Sequence, residues 1–328
     1  MARLLTEADV RRVLTMPLAL EGVELAFRRY GTERAILHPR LRLLMPTRSY
    51  MHYMAAADFD AGYCGLKIYT SIRGGALRFV IALFKADSGK LVALLEADYL
   101  GQMRTGAASG VATRLMARAD ARTCGIIGSG IQARTQLEAV AAVRKLEEVR
   151  VFSRNVERCD AFCREMSIRL GIKVLAAANS EYAVRDTDIV IAATSSATPV
   201  VFGEWLTPEA HINAIGANFP QKHELDEEAV RRCGIIVVDS REQARLEAGD
   251  LIQVLGEDAS AWAAVRELSD VVTGKLAGRT HDRQLTLFKS SGVAIEDITV
   301  ASMVYEEAVK QALGQHLPFA ELPVSRDK

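Results

Sequence analysis

Residues 125–136, GIIGSGIQARTQ, join a short apolar run to a segment with helical periodicity. The Gly-x-Gly-x-x-Ala spacing suits a strand-to-helix turn at a pyrophosphate: Gly128 permits the tight turn, Gly130 lets the backbone approach the ligand, and Ala133 allows close packing. The helix N-terminus adds free amides and a positive dipole end. The motif alone is weak evidence, because turns also use glycine without binding anything. Its place between a strand and a helix favours a dinucleotide site. The candidate contacts in this loop are Gly128, Gly130, Ile131 and Gln132.

The alternation of strand and helix continues from residue 122 to residue 240. Continuous apolar strands separated by amphipathic helices indicate a parallel sheet that is covered on both faces. We therefore predict an α/β fold with a Rossmann-type dinucleotide-binding domain over residues 119–298. The six predicted strands lie within residues 122–128, 148–154, 172–178, 188–195, 211–217 and 234–240.

The end of the second predicted strand indicates which dinucleotide is bound. A carboxylate about 20 residues after the glycines would bond the ribose 2′-hydroxyl of NAD. Ser153 and Arg154 occupy this place instead, and Asn155 follows them. An arginine can pair with a 2′-phosphate through two hydrogen bonds. These three residues are candidate cofactor contacts, and the pattern favours NADP(H), with NAD(H) as the alternative.

The two ends of the chain do not show the strand–helix alternation of the central part. Residues 5–31 predict two helices, with Thr6 as the first N-cap, although Asp9 stands where a capping box usually places a longer side chain. Strand candidates separated by turn residues follow, and a helix over residues 104–118 leads into the first Rossmann strand. We predict an α+β domain over residues 1–118, with a C-terminal helix within residues 299–328 that folds back onto it. The five strand candidates lie within residues 40–46, 50–58, 63–71, 77–87 and 90–98.

Composition excludes several classes of function. Among 328 residues, Lys plus Arg and Asp plus Glu both total 41, so the chain has no net charge to attract nucleic acid or an anionic membrane. No apolar run approaches the ~20 residues of a membrane span, and the N-terminus has no signal-peptide core. Five cysteines without a Cys-x-x-Cys pair or a matching histidine pattern predict no metal site. Reduced thiols and the absence of a signal indicate a cytoplasmic protein.

Two motifs carry a resemblance to a known family. The stretch 103–113, MRTGAASGVAT, together with 128–135, GSGIQART, resembles the ornithine cyclodeaminase/mu-crystallin family, and the likeness covers nearly the whole chain. The resemblance implies a Rossmann domain, a substrate domain built from both chain ends, and a homodimer formed through that domain. Its members cyclodeaminate ornithine or lysine, reduce ketimines, or dehydrogenate amino acids. All of these reactions move a hydride between a nicotinamide and the α-carbon of a small amino or imino acid.

The resemblance also implies residue roles. Arg104 corresponds to the arginine that binds the substrate carboxylate, and Lys67 to the lysine near the carboxylate and the nitrogen. Independently, a lysine on an apolar strand is costly unless it is paired or exposed. Arg40 is the candidate second arginine, with Arg42 as its rival. Thr105 resembles a contact of the cofactor phosphate, Ser291 and Gly292 resemble the backbone that holds the nicotinamide carboxamide, and Asp297 is interpreted as structural.

One loop departs from the cyclodeaminase pattern. Residues 216–222 read GANFPQK, with Asn218 where cyclodeaminases carry an aspartate and with Lys222 retained as a substrate contact. An amide can orient an amine or a water but cannot act as a general base. We therefore expect an NAD(P)H-dependent reductase of α-imino acids, such as pyrroline-2-carboxylate or an acyclic imino acid. Ornithine cyclodeaminase and a non-catalytic mu-crystallin-like binding protein are the alternatives.

Several pocket residues are open choices. His52 is a candidate proton donor, because it lies near the predicted substrate strands. The candidate lining residues are Phe219, His52, Tyr69 and Arg73.

Overall fold

The structure is a computed structural model that describes residues 2–47, 49–72, 75 and 77–319. Strand β1 (Arg3–Leu5) is followed by helices α1 (Glu7–Val13) and α2 (Met16–Gly31), which are the two predicted helices. Thr6 Oγ1 accepts a hydrogen bond from the Asp9 amide at 3.4 Å, and the Asp9 carboxylate accepts one from the Thr6 amide at 2.9 Å. The capping box therefore forms with the shorter aspartate.

The five strand candidates of the N-terminal region all form strands, and two short additional strands, β1 and β2, precede them. In the described part of the chain they build a sheet in the order β1-β7-β6-β5-β4-β2, with β3 beside β4. Neighbours from β2 to β7 are antiparallel, whereas β1 runs parallel to β7. The elements are β2 (Ala35–Leu37), β3 (Leu41–Leu44), β4 (Tyr50–Asp58), β5 (Tyr63–Ser71), β6 (Phe79–Lys85), β7 (Leu91–Glu96) and helix α3 (Asp98–Met116).

Apolar side chains remain exposed on the strands of this first sheet. We call them the outer apolar residues of β2, β3, β4 and β6. Groups of exposed apolar side chains on a folded protein are candidates for contact with another chain. The outer apolar residues are Ile36, Leu41, Leu43, Leu44, Tyr53 and Val80.

The central part of the chain forms a second sheet, and all six of its predicted strands are confirmed. Eight described strands run parallel in the order β10-β9-β8-β11-β12-β15-β13-β14. The strands are β8 (Thr123–Ile127), β9 (Glu148–Phe152), β10 (Lys173–Ala176), β11 (Ile189–Ala192), β12 (His211–Ala214), β13 (Ile235–Val238), β14 (Arg266–Glu267) and β15 (Thr286–Lys289). The helices are α4 (Ile131–Val143), α5 (Val156–Leu170), α6 (Ser180–Val184), α7 (Glu227–Arg231), α8 (Arg241–Glu247), α9 (Gly249–Leu255), α10 (Ala259–Ala264) and α11 (Leu268–Val272), and Gly203–Trp205 is a 3-10 turn.

The strand order confirms the predicted Rossmann-type fold and places its ligand crevice. The order reverses between β8 and β11, so the loops that follow these two strands diverge and leave a crevice at their carboxyl ends. The sequence analysis missed β15, which lies between β12 and β13. Its four residues end in a lysine, and the buried Lys289 forms an ion pair with Asp250 at 3.0 Å.

The C-terminal part of the described chain returns to the first sheet. Helix α12 (Ala294–Lys310) begins before the predicted boundary at residue 299, and strand β16 (Gln315–His316) pairs antiparallel with β1. Ile295, Ile298 and Val304 of α12 belong to one hydrophobic cluster with residues of α2, β4 and β6. Residues 320–328 of the predicted C-terminal segment lie outside the described residues. The division into 1–118, 119–298 and 299–328 stays a prediction.

Among the described helices, none combines the length and the apolar character that crossing a membrane requires.

Candidate active site

The glycine loop after β8 has the geometry that its sequence predicts. Gly128 adopts a φ of +111°, and a Cβ at this position would lie 2.4 Å from the Ala193 carbonyl oxygen, so no other residue fits without strain. Gly130 is the N-cap of α4, and a Cβ on it would meet open space. The first glycine therefore allows the loop to pack against β11, and the second leaves the helix N-terminus accessible to an anion.

A cleft with a volume of about 800 Å³ opens at this loop. The predicted contacts Gly128, Gly130, Ile131, Ser153, Arg154 and Asn155 all line it. None of the described lining residues is acidic, and Arg134, Arg154 and Arg158 contribute positive charge. Shape, size and charge together fit a nucleotide that carries phosphates.

Arg158 is a cleft residue that the sequence analysis missed. It lies in the first turn of α5, four residues after Arg154, and its backbone amide donates to the Asn155 side chain at 2.8 Å, which caps the helix. Within the described ranges, neither the Arg154 nor the Arg158 guanidinium has a protein partner, whereas Arg134 pairs with Glu165 at 2.7 Å. Two arginines therefore remain available to a ligand beside β9, and the i to i+4 spacing was the signal for the second.

Four predicted cofactor residues do not line this cleft. Thr105 Oγ1 donates to the Gly101 carbonyl at 2.7 Å within α3, and the Thr105 carbonyl accepts from Gln136 of α4 at 2.9 Å. Gln132 Oε1 is buried and has no hydrogen-bond partner among the described residues. Ser291 and Gly292 lie at the second group of residues, described next. Their contact with a cofactor stays a prediction.

Lys67 and Arg104 both form ion pairs with the carboxylate of Asp297. Lys67 Nζ of β5 lies 2.5 Å from Asp297 Oδ2, and Arg104 Nε of α3 lies 3.0 Å from Asp297 Oδ1. A further Arg104 nitrogen, Nη1, donates to Glu296 at 2.6 Å. All four side chains are buried. The structure thus brings together the two predicted carboxylate-binding cations, and Asp297, which was interpreted as structural, joins them.

Burial governs the protonation of this group. Burial, followed by the charge of Arg104, lowers the pKa of Lys67 to about 8. Burial raises the pKa of Glu296 to about 7, against the opposing effect of Arg104. Both groups therefore titrate close to neutral pH, as acid–base residues of active sites do.

Arg40 approaches the same place from the segment before β3. Its Nη1 donates to Glu247 at 2.5 Å, and its Nη2 donates to the Ser291 carbonyl at 2.8 Å. A Cβ at Gly292, which has a φ of +79°, would lie 2.6 Å from Arg104 Nη1. Loop 290–292 therefore separates the two arginines by its backbone alone, and only glycine permits this approach of Arg104.

Asn218 and Lys222 lie on the loop after β12. Arg42 Nη2 donates to the Asn218 carbonyl at 3.1 Å, the Arg42 guanidinium lies 4.5 Å from the centre of the Phe219 ring, and Lys222 Nζ lies 5.5 Å from that centre. Arg42 also forms an ion pair with Glu247. Arg42 thus holds the loop backbone, while the more deeply buried Arg40 faces the loop of Ser291. The Asn218 amide group makes no hydrogen bond within the described part of the chain.

His52 lies beside Tyr69. The two rings stack with centroids 4.3 Å apart, and His52 Nε2 lies 2.8 Å from Ser71 Oγ. Burial, with the charges of Arg42 and Arg40, lowers the pKa of His52 to about 4. The ring is neutral at neutral pH, which argues against the role of proton donor. Arg73, the other candidate for the lining, lies outside the described residues.

With this geometry in place, comparison with known proteins decides the family. The profile of the ornithine cyclodeaminase/mu-crystallin family matches residues 2–312. The chain belongs to this family. The resemblance that the two motifs predicted is thereby confirmed.

Relatives of this family member align over nearly their full length. A Delta(1)-pyrroline-2-carboxylate reductase from Bacillus cereus is 34% identical over 319 residues, which cover 95% of this chain and 98% of that protein. The structure of Thermococcus litoralis Delta(1)-pyrroline-2-carboxylate reductase, in complex with NADH and L-proline, has a TM-score of 0.91 at 35% identity and covers 96% and 100% of the two chains. An archaeal alanine dehydrogenase dimer with bound NAD also has a TM-score of 0.91, at 33% identity and with coverage of 97% and 99%.

The second group of residues in this family member contains equal numbers of cationic and acidic side chains, and all of them except Arg42 are buried. Its cations are Arg40, Arg42, Lys67 and Arg104, and the carboxylates among them are Asp239, Glu247, Glu296 and Asp297. Asp239 accepts hydrogen bonds from the Ser291 amide at 2.8 Å and the Gly292 amide at 2.5 Å. Cations that already hold carboxylates in a buried site have the donors that a substrate carboxylate needs.

The sequence analysis did not assign roles to Asp239, Glu247 and Glu296. Asp239 and Glu247 lie in the segment VVDSREQARLEAGD, and Glu296 in AIED, which resemble family segments. Only Asp239 carried a signal, because it directly follows the apolar run IIVV, whereas Glu247 and Glu296 have charged neighbours in the sequence. The described residues contain no group of three or more His, Cys, Asp or Glu side chains that could hold a metal ion.

Proposed function

We propose that the protein is an NAD(P)H-dependent reductase of α-imino acids, either a cyclic ketimine such as pyrroline-2-carboxylate or an acyclic imino acid. The observation that carries this proposal is the convergence of Lys67 and Arg104, from two different elements, on the single carboxylate of Asp297. Two buried cations that share one carboxylate can also share the carboxylate of an amino or imino acid. The reductases among the relatives support the same reaction class.

In this proposal Arg104 and Lys67 orient the substrate. The forked guanidinium of Arg104 binds the α-carboxylate through two donors, and Arg40 strengthens the positive potential from the other side of loop 290–292. Lys67, whose pKa is about 8, is mainly an ammonium at neutral pH and can give a proton to the substrate nitrogen. Lys222 and Asn218 contact the substrate from the loop after β12.

The cleft at the glycine loop holds the dinucleotide in this proposal. Gly128, Gly130 and the N-terminus of α4 would hold its phosphates, and a bound reduced nicotinamide would supply the hydride. Arg154 and Arg158, both without protein partners in the described ranges, favour NADP(H) through its 2′-phosphate. A lining without an acid agrees with this preference, since no described carboxylate is available for the 2′-hydroxyl of NAD.

Asn218 is the reason to prefer imine reduction to ornithine cyclodeamination. Cyclodeamination needs several proton transfers, and general base catalysis typically contributes ~10²–10⁴-fold. The amide of Asn218 cannot accept those protons. Reduction of an imine requires only orientation, a hydride and one proton on the nitrogen, which Lys67 can supply.

We further propose that the protein is a cytoplasmic homodimer. The outer apolar residues of the first sheet would lie in the dimer interface, where burial of apolar surface stabilises association. The dimeric state of the archaeal alanine dehydrogenase supports this assembly.

The test is turnover by the purified protein. We expect pyrroline-2-carboxylate to be reduced to proline with consumption of NADPH, and we expect ornithine with the oxidised cofactor to give little or no proline and ammonia. Lys67→Met should abolish the reduction while dinucleotide binding persists. Efficient release of ammonia from ornithine would replace the proposal by cyclodeamination, and dinucleotide binding without turnover of any imine would replace it by a binding protein.

A further inference from the structure

Glu224 lies between the cofactor side and the substrate side of the molecule. On the cofactor side, residues 193–196 follow β11 and line the cleft. On the substrate side, residues 215–222 follow β12 and carry Asn218. The Glu224 side chain is completely buried between these two loops, which we call the cofactor loop and the substrate loop.

The two carboxylate oxygens of Glu224 divide their hydrogen bonds between the loops. Oε1 accepts from the Thr194 amide at 2.6 Å and from Thr194 Oγ1 at 2.7 Å. Oε2 accepts from the Gly216 amide at 2.7 Å and from the Ala217 amide at 3.2 Å. One rigid, planar group therefore fixes the spacing of both loops, with one oxygen for each.

The loops are in contact around this carboxylate. A Cβ at Gly216 would lie 2.0 Å from the Thr194 carbonyl oxygen and 2.6 Å from Glu224 Oε1. No side chain fits there. Because no gap separates the two loops at this point, a movement of the cofactor loop also moves the substrate loop.

The buried ion pair of Lys289 and Asp250 holds the backbone around Glu224 in place. Lys289 Nζ donates to the Ala217 carbonyl at 2.6 Å and lies 3.0 Å from Asp250 Oδ2. Asp250 Oδ1 accepts from the Glu224 amide at 2.6 Å. Lys289 and Asp250 are as fully buried as Glu224, and their hydrogen bonds anchor the backbone on both sides of the Glu224 carboxylate.

We infer that Glu224 is a positioning residue that couples the two sites, so that occupation of the dinucleotide cleft strengthens binding of the imino acid. A ligand that fixes the cofactor loop also fixes the two Thr194 donors, and these donors hold the Glu224 carboxylate. The carboxylate in turn holds the Gly216 and Ala217 amides, which directly precede Asn218. Coupling of this kind is reciprocal. The inference rests on the proposed function, because it requires both ligands.

Glu224→Gln is the decisive variant. Glutamine has the same shape, but one acceptor oxygen becomes an NH₂ donor that faces two further donors. In either orientation the amide holds only one of the two loops.

The experiment measures binding instead of turnover. Calorimetry gives the Kd of pyrrole-2-carboxylate, a planar carboxylate probe, with and without saturating 2′-phospho-ADP-ribose, which has no nicotinamide to touch the probe. We expect the fragment to tighten probe binding about fivefold or more in the wild type, and less than about twofold in Glu224→Gln. A wild type without this effect, or a Glu224→Gln protein that retains it, would overturn the inference.

Two further variants guard against a purely structural explanation. Asp226→Asn makes the same acid-to-amide change two residues away, at a carboxylate that accepts from the Gly203 and Ala229 amides and touches neither loop. It should keep the wild-type ratio of Kd values. If Glu224→Gln does not fold, Thr194→Val removes one Oε1 donor and should reduce the ratio at least about twofold; an unchanged ratio would contradict the coupling.

The proposed function and this inference fail separately. If the wild type reduces the imine but binds the probe equally well with and without 2′-phospho-ADP-ribose, only the coupling is overturned. If the fragment tightens probe binding in the wild type but no imine is reduced, only the proposed reaction is overturned.

Discussion

Lys67 and Asp297 form a buried ion pair, 2.5 Å from Nζ to Oδ2, between residues that are 230 positions apart in the chain. Lys67 lies in the middle of β5, and Asp297 lies in the first turn of α12, where the helix dipole favours a negative charge. Because Asp297 also binds Arg104, one carboxylate from the C-terminal helix sets the geometry of both cations.

The first prediction concerns pH. The pKa of Lys67 is lowered to about 8 mainly by burial, and Asp297 opposes this shift. Activity should therefore fall as the pH rises through about 8 and the ammonium is lost. Asp297→Asn should move this alkaline limb of the kcat/KM profile to lower pH by about one unit or more, because a neighbouring opposite charge typically shifts a pKa by 1–3 units.

The control for this profile is Glu306→Gln. Glu306 lies on the same helix and accepts a hydrogen bond from the Tyr63 hydroxyl at 3.1 Å, away from Lys67. The variant should keep the wild-type alkaline limb. An alkaline limb that stays in place in Asp297→Asn would remove Lys67 as the titrating group.

The second prediction concerns the carboxylate clamp. Arg104→Lys keeps the charge but loses the fork, so we expect KM for the imino acid to rise about tenfold to a hundredfold, as loss of a charge-assisted hydrogen bond of ~1.5–3 kcal/mol implies. The Kd of the dinucleotide should hardly change. Arg114→Lys on the same helix, which alters a half-exposed pair with Glu24, is the control. Wild-type steady-state kinetics in Arg104→Lys would exclude Arg104 from the site.

The third prediction concerns cofactor choice. We expect NADPH to bind more tightly than NADH, and Arg154→Ala or Arg158→Ala to narrow the ratio of the two Kd values by about tenfold each. Arg164→Ala, further along α5 and absent from the cleft lining, should leave the ratio unchanged. Fluorescence titration measures all three. Binding of NADH that is as tight as that of NADPH would refute this preference.

The fourth prediction concerns assembly. Light scattering at micromolar concentration should give the mass of a dimer for the wild type. Leu43→Glu, at a position that is 58% exposed on β3, should give a monomer because the charge would be buried in the interface. Ile168→Glu, at an 85% exposed position on α5, should remain dimeric. A wild-type monomer mass would contradict the proposed homodimer.

The sequence by itself determined the local elements of this protein. Strands and helices are specified by patterns among residues that are close together in the chain, namely continuous apolar runs and amphipathic segments. The six Rossmann strands and the glycine loop could therefore be predicted. The spacing of Gly128 and Gly130 and the basic residue Arg154 were readable for the same reason. Lys67 attracted notice because a lysine in an apolar strand requires a partner.

Only the tertiary structure decided which partners these residues have. Short β15 could not be predicted, because its apolar pattern ends after Phe288 at Lys289, whose charge is compensated by Asp250 from another part of the chain. Likewise, Asp297 and Glu224 are ordinary acids in the sequence and become the centres of two buried networks only after folding. The physical reason is that periodicity is a property of neighbouring residues, whereas the pairing of buried charges depends on packing between segments that are far apart in the chain.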